Sequence, residues 1–226
     1  MPARLRTVAD GVHLGALVPG ELLNTVVIDG PAGDVAVDAG LPWSGRRLAA
    51  LLRGREIAEH AVTHAHGDHV GASAWLCRHT GAPLAMGAAD AELFEGGSRL
   101  DTHAGALGRL VLAPLARERR AVERRLAEGD RVGGFAVLAV PGHSPGTLAL
   151  WREDDGVLIV GDGPVNVSAD PRAPRWLPLP RGLHQDPAGA DASRRRLAAL
   201  RPALVVGLHG RPVAAPDAWA RAVGLP

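Results

Sequence analysis

Apolar positions in this chain fall into short runs with glycine and proline between them, which is the spacing of strands more than of long helices. Runs at residues 12–17, 25–29 and 35–38, parted by Pro-Gly and Gly-Pro-Ala-Gly turns, predict an antiparallel meander. A helix is expected over residues 48–52, a strand over 57–63, a helix over 70–79 entered directly from the preceding loop, and a strand over 83–86. Residues 88–113 mix small and apolar side chains around Gly96, Gly97 and Gly105, which suggests short helices over a sheet edge. Residues 117–125 hold five arginines in nine positions and read as a solvated face whose helix or strand state is open. Further on, strands at 135–140, 147–151 and 157–160 flank Glu153-Asp154-Asp155-Gly156, whose Asp-Gly pair signals a hairpin, and another strand is expected at 203–206.

Composition narrows the function classes. The 226 residues are taken as a single domain, 1–226, because no stretch reads as a linker. A formal net charge of +1 gives no reason to expect a nucleic-acid or membrane partner, and no apolar stretch approaches the length of a membrane span. No secretory leader is visible at the start, so the cytoplasm is the expected location. The lone Cys77 reads as a buried thiol without chemistry. Every cationic side chain is arginine and there is no tyrosine, so neither a lysine amine nor a tyrosine hydroxyl can assist catalysis.

Candidate chemistry concentrates in four glycine-bounded loops. Thr63-His64-Ala65-His66-Gly67-Asp68-His69 places three imidazoles and a carboxylate after an apolar run, donors that suit zinc and other first-row divalent ions. Residues two apart diverge on a helix but converge from a turn, so this motif belongs to a loop. Pro141-Gly142-His143-Ser144-Pro145-Gly146, Val160-Gly161-Asp162-Gly163 and Gly207-Leu208-His209-Gly210 add one ligand-type residue each. The hairpin at 153–156 carries His143 and Asp162 to the same sheet end, and together the donors exceed what one tetrahedral ion needs.

In this order the four elements resemble the metallo-β-lactamase-fold hydrolase superfamily over residues 12–212. The resemblance implies an α+β fold, a four-layer αββα sandwich of two mixed sheets with outer helices. It also implies that His64, His66 and His143 bind one ion, that Asp68, His69 and His209 bind a second, and that Asp162 bridges them, with two Zn2+ per chain. Asp38 matches an earlier acidic position near the site, with a local turn carboxylate as the equal alternative. The expected reaction is attack by a metal-bridged hydroxide on an ester, thioester, lactone or amide carbonyl of a small molecule. Asp68 and Asp162 are the catalytic carboxylates that would orient the hydroxide or carry a proton.

The motifs look more like the thioester and lactone hydrolases, such as glyoxalase II, than the β-lactamases. The lysine and tyrosine contacts to glutathione and the tyrosine of the lactonases are nonetheless absent. The alternative is a mononuclear iron persulfide dioxygenase of the same fold, with one Fe2+ on His64, His143 and Asp162. A closed structural metal site is weaker, since the set leaves coordination positions open. His13, His60, His79, His103 and His184 are read as structural, Ser144 as a turn hydroxyl, and the loop at residues 19–23 and Trp43 as rim positions with packing as the default. The oligomeric state, monomer or homodimer, is left open.

Overall fold

A computed structural model describes residues 3–96, 118–163, 165–170, 172–177, 179–214 and 216–222. Its strands form two mixed sheets. The first contains β1 (Arg6–Ala9), β2 (Val12–Val18), β3 (Leu23–Ile28), β4 (Asp34–Val37), β5 (Ile57–Val62), β6 (Leu84–Gly87) and β7 (Arg124–Leu126), in that order. Pairing is antiparallel from β1 to β4, the expected meander, and parallel from β4 to β7. The second sheet comprises β8 (Arg131–Val132), β9 (Phe135–Ala139), β10 (Leu148–Arg152), β11 (Val157–Val160) and β14 (Leu204–Gly207), in the order β14-β11-β10-β9-β8. Here only the β11–β14 pair is parallel. The short ribbon of β12 (Val165–Asn166) and β13 (Trp176–Leu177) stands apart.

Burial explains the layering. Alternate residues of both sheets, among them Val26, Ile28, Val37, Phe135, Val137, Leu150, Ile159 and Val206, meet between the sheets. Each side chain so removed from water contributes about 1.5–3 kcal/mol. The opposite face of the first sheet takes Leu48, Leu51 and Leu76 from α1 (Gly45–Leu51) and α3 (Ser73–Thr80). The opposite face of the second takes Leu197 and Trp219 from α5 (Pro187–Ala199) and α6 (Pro216–Ala222). The result is the four-layer αββα sandwich. Between the helices of the first face and β7 lies α4 (Ala88–Gly96), whose Phe94 is fully buried.

Several expectations need correction. β1 and the β12–β13 ribbon are additional, being too short for a clear alternation, and α6 follows His209 without an announced pattern. The helix expected over 70–79 is instead two pieces, α2 (Gly67–Val70) and α3. Val70 bridges Gly40 and the backbone of Gly71 runs against Pro42, where a Cβ would sit 2.6 Å from the proline nitrogen. Gly71 keeps helical dihedrals, and the chain leaves the helix at Ala72, φ −102° and ψ 12°, beside that contact. The hairpin forms with a four-residue loop, since Arg152 pairs with Val157 and Gly156 takes the left-handed conformation at φ 68°. Helices expected over 88–113 are confirmed only as far as α4; the rest of that span, Arg117 and His103 lie outside the described residues. Of the arginine-rich stretch, Arg124 and Arg125 belong to the edge strand β7, where successive side chains leave on opposite faces, and pair with Glu59 of β5 and Glu95 of α4.

Candidate metal centre

The ligand-type residues sit just past the C-terminal ends of strands that run the same way. His64 to His69 follow β5, His143 follows β9, Asp162 follows β11 and His209 follows β14. Asp38 follows β4. Two backbone bonds, Leu148 N to Thr63 O and Asn24 N to Leu208 O, both 2.8 Å, tie the sheets together at this end. Loops on a rigid double sheet thus converge on one place.

All seven residues singled out as ligands come together there, in two groups. His64, His66, His143 and Asp162 have donor atoms within 4.8 Å of one another, and so do Asp68, His69 and His209. The groups touch, because Asp162 Oδ2 is 3.0 Å from His143 Nε2 while Oδ1 is 2.9 Å from His69 Nε2 and 3.2 Å from His209 Nε2. His64, His66, His69 and His143 are nearly inaccessible to solvent.

Four of the five imidazoles are oriented from behind. Asp38 Oδ2 accepts from His69 Nδ1 at 2.6 Å and from Thr63 Oγ1 at 2.7 Å, and Asp38 Oδ1 accepts from the Thr63 N–H at 2.7 Å. Asp38 therefore reaches across loops, not within its own turn, and it adopts φ 57° to do so. His64 Nδ1 lies 3.2 Å from Thr63 Oγ1, His209 Nδ1 donates to Leu22 O at 2.7 Å, and His143 Nδ1 stands 3.2 Å from His184 Nδ1. With each Nδ1 so engaged, the Nε2 lone pairs of His64, His69, His143 and His209 face inward.

The inward atoms fit a cation better than they fit each other. His66 Nδ1 has two imidazole nitrogens within reach, His143 Nε2 at 2.7 Å and His64 Nε2 at 3.0 Å, and His69 Nε2 is 3.1 Å from His209 Nε2. Nitrogens whose protons are committed elsewhere cannot all bond one another. Asp68 Oδ1 and Asp162 Oδ1 are buried and accept no hydrogen bond. Electrostatics agree. Burial alone would raise the Asp162 carboxyl, yet His143, His209 and His69 hold it well below the usual carboxylate range. Asp68 is likewise drawn down, against its burial, by His69 and His209. In turn, burial opposes charge on His209, but Asp162 and Asp68 push it up to about 10. His64, buried and ringed by other imidazoles, is held well below its ordinary value. The carboxylates thus create a demand for positive charge at the centre of the cluster, which draws a proton onto His209.

Two supporting side chains, Asp90 and Asn24, were not picked out from the sequence. Asp90 in α4 accepts from Ala65 N, Ser144 Oγ and Gly146 N, each at 2.7 Å, and so staples the first histidine loop to the His143 loop. Ser144 accordingly bonds beyond its own turn. The two loops approach because Gly87 faces Gly146, where a Cβ on Gly87 would lie 2.1 Å from the Gly146 carbonyl oxygen. Asn24 donates to Gly207 O at 3.1 Å and Gly210 O at 2.9 Å, holding the His209 loop. His184, read as structural, is buried behind His143. Only Asn24 leaves a local sign, a polar residue inside an otherwise apolar strand run. Three of the other histidines conform to expectation: His13 pairs with Asp29, His60 bonds Ala36 O and Ser73, and His79 stacks on Trp75.

Comparison with known proteins bears directly on this arrangement. The model of the metallo-beta-lactamase superfamily matches residues 19–209. A hydroxyacylglutathione hydrolase of Cereibacter sphaeroides is 35% identical over 142 residues, covering 61% of this chain and 46% of its own. The chain therefore spans about half the length of that relative. The probable metallo-hydrolase YflN of Bacillus subtilis is 28% identical, over 91% of this chain and 86% of its own. Among solved structures, TTHA1623 in a di-iron-bound form is 30% identical and superposes with a TM-score of 0.65, covering 88% of this chain and 92% of its own.

Proposed function

The chain belongs to the metallo-beta-lactamase superfamily, and from that premise we propose that it is a dinuclear metal-dependent hydrolase of a small-molecule ester, thioester or lactone. The observation that carries this reading is the pair of touching donor groups, with Asp162 facing both and Nδ1 partners setting the imidazoles. His64, His66 and His143 would hold one ion, Asp68, His69 and His209 the other, and Asp162 would face both. Two divalent ions there would supply hydroxide from water at neutral pH and polarise the substrate carbonyl.

The protein's own part is orientation and proton handling. Asp38 and Leu22 O keep His69 and His209 in the tautomer that presents Nε2. Asp68, with 18% of its side chain exposed, borders the open side of the cluster and can take a proton from an incoming water or pass one to a departing group. Asp162, more deeply set, keeps its charge and orients. Zinc is our choice of ion from the imidazole and carboxylate donor set. The thioester within the class is supported by the named activity of the Cereibacter relative.

The test is elemental analysis of protein purified without chelator, joined to turnover of a thioester, ester and lactone panel by the wild type, His66→Ala and Asp162→Ala. Two zinc ions per chain and turnover lost in both variants are expected. Unchanged turnover in either variant would overturn the proposal. One iron per chain with oxygen uptake on a persulfide would replace it with the dioxygenase alternative on His64, His143 and Asp162.

A further inference from the structure

A groove of about 440 Å3 runs between the end of β2 and α1, beside the loop that follows Asp38. Leu17, Val18 and Leu41 give it an apolar lining, and Trp43, Arg46 and Arg47 stand along it. The volume is that of a site for a small ligand. Among the described residues Trp43 is the most exposed large apolar side chain, at 69%. An isolated exposed indole is ordinary, but this one continues an apolar surface that also carries two guanidinium groups. Arg46 makes no ion pair among the described residues, and Arg47 donates from Nε to the neutral Ala16 O at 2.9 Å. Neither charge is balanced, and no carboxylate among the described residues lines the groove. Charge complementarity therefore asks for an anion, and the indole face asks for a flat aromatic group beside it. A nucleotide offers both, since its base stacks on aromatic side chains and its phosphates suit the arginine fork.

Both walls of the groove lead to the metal centre. Leu41 is three residues along from Asp38, so their Cα atoms are at most about 11 Å apart, and Asp38 bonds His69 directly. Gly40, in the same loop, bridges Val70 of α2, the helix that carries Asp68. Leu17 packs on Gly40, where an added Cβ would collide with its Cδ1. On the other wall, Val18 is four residues before Leu22, whose carbonyl holds His209 Nδ1 at 2.7 Å and whose side chain is 54% exposed. The groove thus adjoins the donor group of Asp68, His69 and His209. That group is also the open one: the Asp68 and His209 side chains keep 18% and 20% of their surface, against 8% and 3% for Asp162 and His143.

We infer that the groove holds the nucleotide end of the substrate's leaving group, so that the substrate is a thioester of a nucleotide-bearing thiol, the coenzyme A class. The inference rests on the hydrolase reading for the reaction, whereas the nucleotide site rests on the groove alone. The base stacks on Trp43, the phosphates meet Arg46 and Arg47, and the arm between phosphate and sulfur passes the exposed side chain of Leu22 to the open side of the metal centre. There the oxygen of water bonds the acyl carbon, the carbon–sulfur bond breaks with its electron pair on sulfur, and the thiolate takes up a proton. The products are a carboxylic acid and a free thiol, and no oxidant or reductant is consumed.

The experiment compares acetyl and hexanoyl thioesters of coenzyme A with the same thioesters of pantetheine, which has the thiol arm without the nucleotide. The coenzyme A esters are expected to have the higher kcat/KM, through a lower KM. That preference should fall about tenfold in Trp43→Ala, the worth of one stacked base, and should fall also in Arg46→Gln; both positions are exposed and tolerate change. A second readout needs no turnover: adenosine 3′,5′-bisphosphate should quench tryptophan fluorescence of the wild type, less so at high salt, and the quenching should vanish in Trp43→Phe. If no thioester is hydrolysed but quenching depends on Trp43, the hydrolase reading fails and the nucleotide site stands. If the thioesters of both thiols are hydrolysed with equal kcat/KM and the bisphosphate quenches nothing, the nucleotide site is overturned and the hydrolase stands.

Discussion

Replacing Asp38 by Asn tests how the second donor group is set up. The residue is fully buried at φ 57°, a conformation asparagine tolerates, and the two side chains have the same shape, so the backbone should not move. What changes is polarity. Oδ1 still accepts from the Thr63 N–H, but an amide N–H2 now meets the His69 Nδ1 hydrogen at 2.6 Å and the Thr63 hydroxyl at 2.7 Å. Thr63 can rotate its hydrogen away, whereas His69 must shift its proton to Nε2, the atom that faces His209 and Asp162. Loss of such a partner costs about 10–100-fold in metal affinity, or about 1.4–2.8 kcal/mol. The metal-free protein should lose about 3 kcal/mol from mismatched buried groups, or roughly 6–12 °C in Tm for a chain of this size. Competition titration against a chelator, with elemental analysis after dialysis, should show the ion at Asp68, His69 and His209 leaving first while the other is retained. Affinity for both ions within twofold of the wild type, in a folded variant, would refute the reasoning.

Other perturbations probe the scaffold. Asp90→Ala strands the buried Ala65 and Gly146 N–H groups, while Ser144 Oγ keeps Thr147 Oγ1 within reach, and should lower stability by about 2 kcal/mol or more, read as a lower urea midpoint; an unchanged midpoint would show that the staple between the histidine loops carries no weight. Gly142→Ala puts a Cβ 2.0 Å from Ala190 N at φ 128°, and should cost several °C in Tm because the His143 loop must pull away from α5; a melting curve superposable on the wild type would contradict the close approach. Burial pushes the Cys77 thiol up to about 11 from 9.0, so at pH 8 the folded protein should react with iodoacetamide about a hundredfold more slowly than in urea. The folded value lies above the unfolded one, so this contribution to stability is complete below pH 9 and is lost as pH rises toward about 11. Equal alkylation with and without urea, followed by intact mass, would show the thiol to be accessible.

The chain by itself determined the ligand types and their placement in glycine-bounded loops at strand ends, while the αββα class followed from the resemblance that these motifs bear to a known family. These are carried by local signals: the two-residue spacing of His64 and His66, the proline and glycine around His143, and the hairpin that returns the chain from His143 to Asp162. Tertiary structure alone decided which distant groups stand behind the ligands. Asp38 lies 31 positions from His69 and Asp90 lies 54 from Ser144, and a buried carboxylate finds its donors only when strands β4, β5 and β6 and the second sheet bring their ends together. The break between α2 and α3 has the same origin, a backbone that yields to Pro42 across a contact no periodicity records. The seat of His184 behind His143 is likewise invisible in the sequence, since the two residues are 41 positions apart and meet only through packing. Hydrophobic pattern is a property of neighbours in the chain; satisfaction of buried polar groups is a property of neighbours in space.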